Sequence, residues 1–259
     1  MGGTMVSKTM TSIQVIDRVA QLLDAIATKN EPVSLKILSA ETGLHPSTAF
    51  RILASLAGHG FVERSSSGHY RLGVKLLQLG SRVQGRLDMR REARPIMEWL
   101  RNELGETVNL IVREGDEVVY VERAAPSRMM RVEQVIGGRA PLHVTAVGKL
   151  FLAEGGAEAC LEYAERTGLR TCTPHSITDP AHLWRTVKNA LQQGYSLDDQ
   201  EAELGVGCIG VPIRDSTGRI IAGISVSAPI ERRQETWIPI VRQAGEKLSA
   251  RLGFHSESR

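Results

Sequence analysis

Ser47, Thr48, Arg51 and Ser55 fall in the stretch HPSTAFRILASLAG, where a helix would gather three hydroxyls and a guanidinium on one side. Such a set can hydrogen-bond base edges and phosphates. Further on, Ser225 and Ser227 stand two apart in a strand-like run, so their hydroxyls share a face and can both donate to a carboxylate. Asp198 can accept from a ligand hydroxyl, and the backbone N–H groups near Gly148 can receive an anion at a helix start. A third set, His143, Asp198, Glu201 and Cys208, consists of zinc-ligating types, and Cys208 with His143 has the makings of a nucleophile and base. Its spacing is irregular, and no HExxH or GxSxG motif accompanies it. Each of these also has a purely structural counterpart: a serine pair facing solvent, an aspartate capping a turn, a cysteine filling a small apolar gap.

The elements that must position these residues can be read locally. Ser34 suits a helix N-cap and Gly43 a helix end, and three residues later Pro46 suits the first position of a second helix. In that second helix Ala49, Ile52, Leu53 and Leu56 form one apolar stripe, leaving Ser47, Thr48, Arg51 and Ser55 on the other face. This describes a helix-turn-helix over about residues 34–53. Residues 61–64 and 69–72 then read as two strands around a Ser65-Ser66-Ser67-Gly68 turn, which makes the motif winged and brings His69 and Arg71 near the DNA backbone. A preceding amphipathic helix can start from Ser12 as N-cap, and residues 1–10 read as disordered.

Charge follows the same division. The 259-residue chain has a net charge of +3, but residues 1–91 hold twelve Lys/Arg against six Asp/Glu, so the remainder is acidic. The basic excess sits where phosphates would be neutralised. No apolar run approaches the roughly eighteen residues of a membrane span, and MGGTMVSKTMTS lacks the apolar segment of a signal peptide, so a cytoplasmic protein without a membrane partner is expected. Cys160, Cys172 and Cys208 form no CxxC pair, which favours reduced thiols over a disulfide framework or a zinc knuckle.

After the wing, residues 73–91 show a helical pattern with basic Lys75, Arg82, Arg86, Arg90 and Arg91, and an apolar face wide enough to serve a partner chain. The second half has a helix around residues 95–104 with Pro95 near its start, then a hairpin across Gly115-Asp116. Two more helices follow, then strands over 206–214 and 219–227, and a closing helix over 239–252. The expected fold is α+β, with a curved antiparallel sheet flanked by helices. The expected boundaries are 12–72 for the winged helix-turn-helix, 73–88 for a linker helix and 89–255 for the second domain.

The stretches PLHVTAVGK and GYSLDDQEAELGVGCIGVPIRD, together with the winged motif, resemble the IclR family of bacterial transcriptional regulators from about Ile13 to Leu252. The spacing of Gly194, Asp198, Glu201, Cys208-Ile209-Gly210, Ile213 and Asp215 matches the family pattern, while Arg214 stands where the family usually has an aromatic residue or histidine. The resemblance implies a GAF-like effector domain joined by the linker helix to the DNA-binding domain. It also implies a homodimer or homotetramer on a double-stranded DNA operator, and a small effector, an organic or aromatic acid, that alters operator binding. The implied pocket comprises Ala146, Val147, Asp198, Val206, Cys208, Ser225 and Ser227, with Met129 and Val132 as apolar walls. It implies no catalytic residue, resident metal or cofactor, which leaves a metal-binding sensor or an enzyme built on His143, Asp198, Glu201 and Cys208 as the rival reading.

Overall fold

The computed structural model describes residues 13–84 and 88–255, with the side chains of 81–84 omitted. The disorder expected at residues 1–10, the cap expected at Ser12, and Arg86 lie outside them. The chain forms two compact units that divide at residues 86/87. Among the described residues no helix is long and apolar enough to cross a membrane.

In the first unit, α1 (Gln14–Ala27) begins with Ile13 at its N-cap and has no side-chain cap. Helices α2 (Leu35–Thr42) and α3 (Pro46–Gly58) form the helix-turn-helix. Ser34 caps α2 by accepting from the Ile37 N–H. Gly43 ends it at φ 66°, a conformation costly for any residue with a Cβ. Leu22, Leu38, Ala49, Leu53, Val62 and Tyr70 close a small core between the three helices and the hairpin of β1 (Val62–Arg64) and β2 (Tyr70–Leu72). Helix α4 (Val74–Gln84) is pinned to the base of that hairpin. Gly73 N–H donates to Phe61 O and Lys75 N–H to Gly60 O, so the start of the expected linker helix belongs with the first unit.

The helical pattern expected to run on to residue 91 does not continue as one helix. Asp88 caps a new one, α5 (Met89–Leu104), by accepting from the Arg90 N–H. Pro95 therefore lies inside α5 rather than near its start. The missing proline N–H removes one helix hydrogen bond, and the fully packed face of Ala93, Ile96, Met97 and Leu100 offsets that loss.

The second unit is built on a six-stranded antiparallel sheet in the order β5-β4-β3-β8-β7-β6. Its strands are β3 (Thr107–Glu114), β4 (Glu117–Ala124), β5 (Arg139–Pro141), β6 (Ser196–Asp199), β7 (Val206–Arg214) and β8 (Ile220–Pro229). Val108, Leu110, Ile209, Val211, Ile224 and Val226 pack one face against α5 and α9 (Ile238–Arg251). The opposite face is covered by α6 (Ala146–Glu154), with α7 (Gly156–Thr167) and α8 (Pro180–Gln193) outside it. The short strands β5 and β6, absent from the local reading, exist because β4 and β7 offer them an edge.

Candidate functional site

The exposed side of α3 carries Ser47, Phe50, Arg51 and Ala54. His45 stands at the α3 N-cap; its Nδ1 accepts from the Ser47 N–H at 3.4 Å and lies 2.8 Å from the Ser47 hydroxyl, which it holds in place. Thr48, half-buried, and Ser55, exposed, sit with Arg51 on the flank towards α1, lining a cleft of about 360 Å³ whose apolar wall includes Val15, Val19 and Ile52. On the wing, His69 Nδ1 is 3.1 Å from the Ser67 hydroxyl. Arg71 donates from Nε and Nη2 to Glu63, its cross-strand neighbour, at 2.8 and 2.6 Å, so its charge is already partnered within the hairpin. Phe50 and the adjacent wing residue Arg64 belong to the same surface and were not singled out in the sequence, although Phe50 follows Ser47 by three residues and so shares its face.

In the second unit the strand register assembles a polar line across the sheet. Thr107 pairs with Ser227, Ser227 with Cys208, and Cys208 with Asp198. One step along, Asn109 pairs with Ser225, which pairs with Gly210. Asn109 Nδ2 donates to the Ser227 hydroxyl at 3.2 Å, and Cys208 Sγ lies 3.2 Å from the same hydroxyl. Thr107, Asn109, Asp198, Cys208, Ser225 and Ser227 are all buried, and Val206, half-buried, falls on the same face. Asn109 Oδ1 is buried without a hydrogen-bond partner, a costly state for an amide oxygen unless a donor arrives. Burial pushes the Cys208 thiol well up and so keeps it protonated.

A segment following β4 lies over this line. Thr107 Oγ1 donates to Val132 O at 2.6 Å, Asn109 Nδ2 donates to Gln134 Oε1 at 3.1 Å, and Arg123 Nη1 donates to Gln134 O at 2.6 Å. The fully buried Glu106 carboxylate anchors the segment through Arg128 at 2.9 Å and Arg232 at 2.7 Å. Val132 thus reaches the site through its backbone, whereas Met129 is fully exposed and supplies no wall, contrary to expectation. Ala146 and Val147 are packing residues: a Cβ on Gly223 would lie 2.4 Å from Val147 Cγ1, so α6 rests directly on the sheet. The Gly148 N–H is not free for an anion either, because the Thr145 side chain caps it at 3.2 Å. Thr107, Asn109 and Arg123 gather here through strand pairing and Gln134 through the segment that follows β4, and no local motif marks them.

Two family models together span most of the chain. The bacterial transcriptional regulator IclR C-terminal domain matches residues 81–250, and the IclR helix-turn-helix domain matches residues 15–66. The chain belongs to the IclR family. It is therefore a transcriptional regulator with a helix-turn-helix DNA-binding domain and a C-terminal effector domain. The HTH-type transcriptional regulator XynR of Escherichia coli is 33% identical over 95% of this chain and 99% of its own length. An IclR-family regulator from Silicibacter sp. TM1040 shares the fold at a TM-score of 0.87, with 24% identity over 95% of this chain and 98% of that one. An IclR homologue from Microbacterium hydrocarbonoxydans, solved in complex with 4-hydroxybenzoate, is 29% identical over 92% of this chain and 98% of that one, with a TM-score of 0.60.

The four residues of the metal and nucleophile readings are drawn into separate contacts. His143 Nδ1 bonds Tyr163 Oη at 2.7 Å and its Nε2 faces Arg170 O at 3.1 Å, so both ring nitrogens are committed away from Cys208. Burial lowers the His143 pKa and keeps the ring neutral. Glu201 is held by Lys149, and no cluster of three potential ligands forms among the described residues. Asp198 is instead the keystone of a buried loop: its Oδ1 accepts from the Glu201 N–H at 2.8 Å and from the Ala202 N–H at 3.4 Å.

Burial raises the Asp198 pKa from 3.8 to about 6, against the opposing pull of Lys149. The folded carboxyl thus keeps its proton to higher pH than the unfolded one. Its contribution to stability is greatest below about pH 4 and falls as pH rises through 6, by roughly 3 kcal/mol in total. Asp198→Asn keeps the acceptor and removes the charge. Urea unfolding of both proteins between pH 4 and 7 should show the variant gaining on the wild type as pH rises; a constant difference would refute the assignment.

Proposed function

We propose that this IclR-family chain is a ligand-responsive, sequence-specific regulator, working as a homodimer or homotetramer in the cytoplasm. Ser47 and Arg51 on α3 meet base edges or phosphates, Thr48 and Ser55 support them from the flank, and His69 and Arg71 meet the DNA backbone, Arg71 by exchanging its exposed Glu63 partner for a phosphate. Such an exposed pair contributes little to stability, so the exchange costs little. The exposed apolar side chains of Ile13, Val15 and Ile16 on one helix, and of Val74 and Leu77 on another, supply the surface a second copy would cover.

The observation that carries the effector reading is the unpartnered Asn109 Oδ1 amid Ser225, Ser227, Thr107 and Cys208. It calls for a ligand that donates a hydrogen bond, so the effector is an organic or aromatic acid bearing a hydroxyl group. Arg123, paired across the strands with Asn109, would meet its carboxylate by exchanging Glu133, its ion-pair partner at 3.0 Å. The 4-hydroxybenzoate bound by the Microbacterium relative has this chemistry. Effector binding alters operator affinity by no more than its differential affinity for the two forms of the protein.

The test equilibrates the full chain with a random duplex pool at near-physiological salt and sequences what is bound. An inverted repeat is expected. Binding to that repeat is then titrated with 4-hydroxybenzoate and benzoate, and only the hydroxylated acid should shift it by more than about fivefold, in the range of typical coupling energies. Binding that vanishes with salt and enriches no sequence would overturn the regulatory reading. Equal responses to both acids would remove Asn109 from recognition.

A further inference from the structure

Phe50 is 42% exposed, yet it lies at the centre of the most polar face of α3, three residues after Ser47, beside Arg51 and four before the exposed Ala54. It is outside the core of its unit, which Leu22, Leu38, Ala49 and Leu53 fill without it. A ring left in water costs free energy that burial against a partner would recover. One edge is already held. The Arg64 guanidinium lies 5.7 Å from the Phe50 centroid and 5.7 Å from that of Tyr70, bridging the helix and the wing by cation–π contacts. On the other side of Phe50, the His45 contact fixes the Ser47 hydroxyl. The ring is therefore positioned, flanked by hydrogen-bonding groups, and apolar.

We infer that Phe50 reads a thymine, its ring covering the C5-methyl group in the major groove between the contacts of Ser47 and Arg51. Among the groups that base pairs expose in that groove, only this methyl is apolar. A protein surface laid on the same face would have to bury Ser47 and Arg51 as well, whereas a base edge and its phosphates satisfy both. Arg64 acts as a positioning residue that holds the ring edge towards the groove. The inference rests on the DNA-reading role of α3, and deepens it by naming a base.

The test uses the inverted repeat recovered from the random pool. Each thymine is replaced in turn by deoxyuridine, which removes the methyl group and leaves base pairing intact. Wild-type protein should lose about fourfold in affinity at one thymine of each half-site, the factor that burying one methyl corresponds to. Phe50→Ala should bind the thymine and deoxyuridine duplexes equally, while Phe50→Leu keeps part of the preference; thermal unfolding of both variants close to wild type shows that the fold is intact. A scan with no sensitive thymine, or a sensitivity that Phe50→Ala retains, overturns the inference and leaves the regulatory reading standing. A pool that enriches no sequence overturns both.

Discussion

Arg51→Ala is expected to weaken binding to the recovered operator by about 1–3 kcal/mol per half-site, or roughly 5- to 150-fold, and to relax the preference at one base pair. The guanidinium is exposed on the second turn of α3, one turn on from Ser47, and lines the cleft shared with α1. A planar fork there matches the O6 and N7 acceptors of guanine, which lysine cannot match bidentately. Repeating the selection with the variant separates two roles. Loss of information at one position of the repeat identifies a base contact. A uniform loss on all sequences, with a salt dependence shallower by about one, would make Arg51 a phosphate contact instead.

Lys149→Met should be the most damaging change in the effector domain, costing about 3–5 kcal/mol of stability. Lys149 is 1% exposed and bonds Glu201, whose other carboxylate oxygen is already buried without a partner. Asp198 lies in the same field, and Lys149 is the charge that lowers its pKa. Without the ammonium, two neighbouring carboxyls are left uncompensated in a place that burial has already made unfavourable for charge. The sign with pH follows. Losing the Lys149 charge raises the Asp198 pKa further, so the penalty should be smaller near pH 5, where that carboxyl is protonated, and grow towards pH 8. Urea unfolding at the two pH values measures it, and Glu201→Gln in the Lys149→Met background should restore part of the loss. A deficit below about 1 kcal/mol at pH 8 would mean that water screens the pair.

Met129 and His143 show where local reading of this chain ends. Met129 was expected as a pocket wall from the family resemblance, but the side chain is fully exposed while Val132 enters through its carbonyl. His143 was available as a ligand until the fold placed Tyr163 and the Arg170 carbonyl against its two nitrogens. Lys149 and Glu201 are 52 residues apart and become a pair only when α6 rests on the sheet.

What the sequence determined by itself lies within a few residues of chain. Ser34, Gly43 and Pro46 set the limits of two helices, because caps and φ preferences act on neighbouring backbone groups. The 3.6-residue period of Ala49, Leu53 and Leu56 turned Ser47 and Arg51 outward, since one helical face must be buried. The charge asymmetry and the signature around Asp198 and Cys208 were likewise legible in residue order alone. Tertiary structure alone decided the buried polar line proposed as the effector site. Strand β8 inserts between β3 and β7, so Thr107 and Asn109 meet Ser225 and Ser227 across more than a hundred residues of chain. Strand register depends on which edges are free and which faces need burying, quantities that belong to the assembled sheet and to no single segment of it.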